Sequence, residues 1–300
     1  IVELVGAFVL SFRMIPEYGL KQGIVFSVFH SISAYCNAGF DLFGDSIISY
    51  QTDYLVNLVI MALVILGGLG FAVYVDFRDN FGKKRLTVHT QLVLRTTLFL
   101  LVAGTLGLYI FEHDNPLTIG NLPNHHKWLA SAFQSTILRT AGYSSIDVAG
   151  LTDASMVLSI LLMFIGGSPG STAGGLKTTT FAILAISTFY SLKDEEDTVL
   201  LKRRVPDQTV KKVFGLFIIA IALVTFVTFG LTIFEEGQFT YLDLLFETVS
   251  AFGTVGISRG ITSSLSTSGK LILTMTMFLG RVGPTSFAMG IFHQPQKKLQ

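Results

Sequence analysis

The chain has 300 residues, of which 50% are hydrophobic and 14% charged, with a net charge of +1. Soluble domains carry about 25% charged residues, so this composition indicates a membrane protein, and a charge so near zero removes the electrostatic case for nucleic acid. One cysteine, Cys36, and six scattered histidines leave no disulfide framework, no cysteine-based metal cluster and no constellation that marks an enzyme.

Residues 1–15 open the chain inside an apolar stretch and read as the tail of a span that begins upstream. Residues 24–35 are apolar but too short to cross a bilayer, which needs roughly 20 residues. They read as a re-entrant half-helix ending at the loop Cys36-Asn37-Ala38-Gly39-Phe40. Residues 56–75 are long enough to span and reach Leu66-Gly67-Gly68-Leu69-Gly70-Phe71, whose glycines suit close helix packing. The basic residues Arg78, Lys83, Lys84 and Arg85 follow.

The same order then recurs. Residues 91–111 span, residues 128–138 form a second half-helix, and Arg139-Thr140-Ala141-Gly142-Tyr143 is the second loop. Residues 156–190 exceed one span and are interrupted by glycine and proline. Lys193, Lys202, Arg203, Arg204, Lys211 and Lys212 follow, around an acidic run that includes Glu196. Residues 213–234 span, Glu235 and Glu236 fall in the next loop, residues 242–252 make a third half-helix, and Gly253-Thr254-Val255-Gly256-Ile257 is the third loop. Residues 271–292 are the last span. The expected units are 1–88, 89–205 and 206–300, and repeated context is a stronger signal than any one motif. The fold class is all-α: a polytopic membrane protein of repeated span, pore-helix, filter-loop and span units around a central pore. The excess of Lys and Arg marks the cytoplasmic side, so the three loops open outside.

Backbone at membrane depth must be satisfied inside the protein or face water. Glycine permits conformations in which successive carbonyls point one way, and rings of carbonyls can replace the hydration shell of potassium. Each half-helix ends at its loop, so its partial negative end favours a cation. The expected filter residues are Asn37, Ala38, Gly39, Thr140, Ala141, Gly142, Thr254, Val255 and Gly256. Thr254-Val255-Gly256 repeats the first three letters of the potassium-channel filter; Ile257 and Ser258 then depart from it.

Gly166-Gly167-Ser168-Pro169-Gly170-Ser171-Thr172-Ala173-Gly174-Gly175 breaks the second unit's last span. In a helix each Gly costs about 1 kcal/mol and Pro about 3, so a hydrated loop below the filter is expected. It is no nucleotide-binding loop, since Leu176 stands where lysine is required and no strand precedes it. Arg281 falls within the last span, where a charge usually faces a cavity. Arg139 and Glu247 precede loops of different units and are expected to pair as a buried prop. Glu3 and Arg95 are expected at interfaces.

His30-Ser31-Ile32-Ser33-Ala34 before Asn37-Ala38-Gly39-Phe40, the loop from Arg139 to Tyr143, and Glu247-Thr248-Val249-Ser250-Ala251-Phe252-Gly253-Thr254-Val255-Gly256 carry a resemblance. The chain resembles the Ktr/Trk/HKT superfamily of potassium transporters over essentially its whole length, most nearly the bacterial Ktr pore-forming subunits. The resemblance implies four units around one pore, with potassium at the filter residues. It implies an intramembrane gate at residues 166–175, with Lys177 at its cytoplasmic end and Arg281 at the narrowing beside it. It further implies uptake across the plasma (inner) membrane of a bacterium, sodium dependence, a homodimer set in lipid, a cytosolic nucleotide-binding ring as partner, and no covalently bound cofactor. Three loops instead of four is a departure, and a further unit upstream of Ile1 is expected. Cys36 is another, since a more polar residue is expected there in relatives. The rival readings are a potassium-binding subunit of an ATP-driven pump, a secondary transporter of another solute, and a non-conducting receptor.

Overall fold

The computed structural model describes residues 1–80, 86–195 and 197–283. Lys83, Lys84, Arg85, Glu196 and positions 284–292 of the expected last span lie outside the described residues.

The first helical element, α1 (Val2–Tyr35), is two limbs turned back on each other at Gly19, whose φ of 76° and ψ of 169° are not helical. The limbs lie antiparallel: Ser31 Oγ donates to Glu3 O at 2.6 Å. The span tail and half-helix expected from sequence are these limbs. Two helices then follow, α2 (Tyr54–Leu69) and α3 (Phe71–Asp79), separated by Gly70 at φ 87° and bent by 85°. Residues 56–75, expected as a span, are this bent pair, which passes for one span with a break at Gly70. Hydropathy continues through Gly70, but a positive φ ends the helix.

The second unit holds α4 (Val88–Glu112), the half-helix α5 (Asn124–Ile137), and the two pieces of the broken span, α6 (Asp153–Phe164) and α7 (Thr178–Ser191). A small antiparallel hairpin, β1 (Val199–Leu200) and β2 (Arg203–Arg204), leads onward and is the one departure from an all-helical chain among the described residues. The third unit holds α8 (Asp207–Phe234), the half-helix α9 (Tyr241–Gly253) and α10 (Thr267–Val282). Helix α10 stops at Gly283, which has φ 84°. Arg281 therefore sits in the last turn of α10, and the rest of the expected last span lies outside the described residues. Each unit's second helix breaks at a corresponding point: at Gly70, at Ile165 and at Gly283.

Among the described residues, α4 and α8 are long and apolar enough to cross a bilayer, and α2 with α3 counts as a third if the bent pair is one span. Phe99, Phe226, Phe229, Met275 and Phe278 are all largely exposed on the helix exteriors. So broad an apolar surface fits a lipid surround and would be an aggregation liability in water. Within the bundle α2 packs on α5 and α6 packs on α9, so consecutive units are neighbours.

Buried carboxylates clasp the units. Glu112, at the end of α4, accepts from Thr152 N at 2.9 Å and Thr152 Oγ1 at 2.7 Å. Glu235, just past α8, accepts from Ser266 N at 3.1 Å and Ser266 Oγ at 2.7 Å. Thr152 and Ser266 are the N-caps of α6 and α10, so each carboxylate fixes the residue that satisfies a helix's orphan donors. In the first unit the polarity is reversed, with Arg13 Nε donating to the N-cap Asp53 at 2.6 Å. Glu235, placed in a loop from sequence, is 2% exposed there.

Removing the Glu235 carboxylate strands a buried N–H and a hydroxyl, at about 1–3 kcal/mol each. Glu235→Ala is expected to lower the melting temperature in detergent clearly, and the exposed neighbour Glu236→Ala to leave it unchanged. Equal melting of the two variants would remove the clasp.

Candidate functional site

Three glycine loops meet where the half-helices end. They share a backbone signature. Asn37, Thr140 and Thr254 have φ of 50°, 76° and 52°, and two residues later Gly39, Gly142 and Gly256 have φ of 73°, 80° and 89°. Alternation between left-handed and ordinary conformations turns successive carbonyls towards one side, which an unstrained L-residue run would not do. The first position of each pair is not glycine, so each loop stores some strain, and such strain clusters at functional sites.

The loops stand side by side. A Cβ on Gly39 would lie 2.5 Å from Ala141 O and 2.7 Å from Gly142 Cα. A Cβ on Gly142 would lie 2.6 Å from Val255 O. The second loop is therefore wedged between the first and third, and all nine residues expected from sequence are brought together. The Asn37 side-chain amide donates to Ala34 O at 3.1 Å and Val64 O at 3.2 Å, with its oxygen facing the Thr140 hydroxyl, and Tyr143 Oη donates to Phe40 O at 3.2 Å. A cavity of about 340 Å³ opens along the first and third loops, lined by Ala38, Phe40, Thr254, Val255 and Gly256 among others. The second loop does not line it. The Thr254 hydroxyl is buried and has no hydrogen-bond partner among the described residues.

Residues 166–175 form a closed loop beneath. Its neck is a parallel bridge between Ile165 and Leu176, with Gly166 N donating to Leu176 O at 2.9 Å. The loop is pinned to the break in the first unit: Ser168 N donates to Gly68 O at 3.0 Å, and Phe71 N to Gly170 O at 3.1 Å. The glycines of 66–71, read from sequence as packing residues, are thus the seat of this loop. Its far side touches the third unit, where Gly174 has no room for a Cβ against the Thr254 hydroxyl. Two cations hold consecutive carbonyls. Lys177 Nζ donates to Ala173 O at 2.6 Å, and Arg281 Nη1 donates to Thr172 O. Arg281 is exposed despite its depth in the chain's apolar sequence, and so faces an open space.

The expected Arg139–Glu247 pair is absent. Arg139 is 7% exposed and its Nη2 donates to Gly166 O at 3.3 Å, at the neck of the loop below. Glu247 instead accepts from the Ser258 and Thr262 hydroxyls and from Arg259 N. Position next to a loop did not reveal which way either side chain turns. Glu3 is a second correction: its carboxylate accepts from the Cys36 thiol at 3.9 Å, at the inner end of the first half-helix and not at an interface. One functional contact escaped the sequence reading. Arg259 pairs with Asp243 and donates to Ala149 O at 2.7 Å, tying the third loop's exit to the second unit. Opposite charges flanking one short loop were the available signal.

A model of a family described as cation transport protein, TrkH, matches residues 1–300. Ktr system potassium uptake protein B of Bacillus subtilis is 40% identical over 299 residues, covering 100% of this chain and 67% of that protein. Its namesake in Vibrio alginolyticus is 40% identical over 290 residues, covering 96% and 63%. Potassium/sodium uptake protein NtpJ of Enterococcus hirae is 39% identical over 285 residues, covering 94% and 63%. The chain thus spans about two thirds of the length of these relatives. The crystal structure of the potassium transporter TrkH from Vibrio parahaemolyticus superposes with a TM-score of 0.79 at 19% identity, over 98% of this chain and 62% of that one, which establishes the fold.

The glycine geometry predicts a sharp contrast. Gly39→Ala adds a Cβ at a positive φ against the second loop's backbone, and is expected to cost at least 1 kcal/mol and to abolish ion uptake. Gly215→Ala, in α8 with open space around it, is expected to be neutral or slightly stabilising. Thermal melts and rubidium uptake of the two variants check this.

Proposed function

We propose, from the premise that this chain belongs to the TrkH family of cation transport proteins, that it forms three walls of a potassium-uptake pore. The single observation that carries the reading is the loop signature: three loops, each with a left-handed residue two positions before a left-handed glycine, packed glycine against glycine. Carbonyls so arranged replace the hydration shell of potassium. No bond chemistry is required, and potassium, with sodium as a second ion, is cargo. The proposed setting is a bacterial plasma membrane with the loops facing outside, a homodimer, and a cytosolic nucleotide-binding ring as regulator. The names of the Ktr relatives support a multi-component system.

Residues 166–175 are the proposed gate. Lys177 and Arg281 turn the Thr172 and Ala173 carbonyls towards themselves, so those oxygens are withheld from a permeant ion. Two positive charges under the filter also oppose cation passage. Arg139 is a positioning residue: its guanidinium ties the second half-helix to the neck of the gate at Gly166.

The test is uptake of rubidium and sodium by liposomes holding the protein, without ATP. Flux down a gradient is expected; none would favour the pump-subunit reading or a non-conducting receptor. Gly142→Ser is expected to remove most discrimination between rubidium and sodium. Arg281→Ala, and deletion of 170–174, are each expected to raise flux several-fold. An unchanged rate in both, with folded protein verified by melting, overturns the gate.

A further inference from the structure

A groove of about 690 Å³ opens on the outside of the bundle between α4, α7 and the β1–β2 hairpin. Phe99 forms one wall and Phe181, Ala185 and Phe189 another, and Arg95 is the one charged residue in the lining. The mouth merges with the exposed side chains of Leu98, Phe99, Phe189 and Leu192, which belong to the apolar belt. The groove lies at the end of the bundle away from the glycine loops. It begins beside the start of α4, whose other end carries the Glu112 clasp.

Its charge is lopsided. Arg95 makes no ion pair with a described residue. Leu200 lines the groove, and its cross-strand partner Arg203 projects from the same face of the hairpin. Lys202 occupies the turn at φ 67°. Neither Lys202 nor Arg203 is paired among the described residues, whereas the adjacent Arg204 is held by Asp197 at 2.9 Å and by Asp207 at 3.7 Å. Among the described residues, Arg95 in the lining and Lys202 and Arg203 on the adjoining hairpin are thus three cations without an ion pair, beside an apolar slot on the exterior of the bundle. Basic pockets of this kind between membrane helices bind anionic headgroups. A zwitterionic headgroup would bring its own ammonium towards the cations.

We propose that this groove is a binding site for one anionic phospholipid, with its phosphate on Arg95, Lys202 and Arg203 and an acyl chain along Phe99, Ala185 and Phe189. The site depends on the chain lying in a membrane and not on what it transports, so its test reads lipid binding and not flux.

The protein is placed in nanodiscs of phosphatidylcholine and phosphatidylglycerol, released into mild detergent, and the retained lipid identified by native mass spectrometry. Retention of phosphatidylglycerol over phosphatidylcholine is expected. Arg95→Ala and Arg203→Ala are each expected to weaken that retention about fivefold, since a basic residue near an anionic surface is worth about 1 kcal/mol. Ala185→Trp, which fills an exposed slot, is expected to abolish retention at unchanged melting temperature and oligomer mass. Equal retention of both lipids, or full retention by the Arg95→Ala, Lys202→Ala, Arg203→Ala triple variant, overturns the proposal. A change of oligomer mass in Ala185→Trp also overturns it, in favour of a second copy of the chain as the occupant.

Discussion

The constraint on which the structure depends is the hydrogen-bond requirement of non-helical backbone at membrane depth. A lipid interior offers no partners, so every irregular segment must be satisfied by protein or face a watery space. The loop at 166–175 meets this by a bridge across its own neck and by bonds joining Ser168 to Gly68 and Gly170 to Phe71 across a unit boundary. Two cationic side chains take two more of its carbonyls. The three glycine loops are different. The carbonyls at 37–39, 140–142 and 254–256 accept no hydrogen bond among the described residues, and that surplus of acceptors is what a dehydrated cation needs.

Close backbone approach makes this arrangement possible. A Cβ at Gly67 would strike the Tyr35 carbonyl, and one at Gly280 would strike that of Phe252. In both units the second helix presses on the last carbonyls of its own half-helix at a glycine. The half-helices are thereby held from behind while their ends converge on the loops. Outside, the buried carboxylates Glu112 and Glu235 fix where the second helices begin. The close glycine approach recurs in the first and third units, and the carboxylate clasp in the second and third.

Much of this was legible in the sequence, for physical reasons. Half-helices too short to span, loops with glycine at one position, and a glycine–proline run inside an apolar stretch each violate a rule that ordinary spans obey. The break at Gly70 escaped notice because apolar residues lie on both sides, and hydropathy does not register a change of φ. The clasps were visible as the triplets Ile110-Phe111-Glu112 and Ile233-Phe234-Glu235, but a carboxylate at a span end reads as solvated until its partner is known. Arg139 and Glu247 were misjudged as partners. Their depth was right, yet the direction of a side chain across unit boundaries is a property of packing that no local pattern encodes.

The right-angled turn at Gly70 has a mechanical consequence. Helix α3 has 9 residues, so it is an arm about 13 Å long at 1.5 Å per residue. Its fixed end, Phe71, is hydrogen-bonded to Gly170. Asp76 on the same arm accepts from Thr87 N at 2.9 Å, at the N-cap of α4, so the bent helix ties the seat of residues 166–175 to the start of the second unit's first helix.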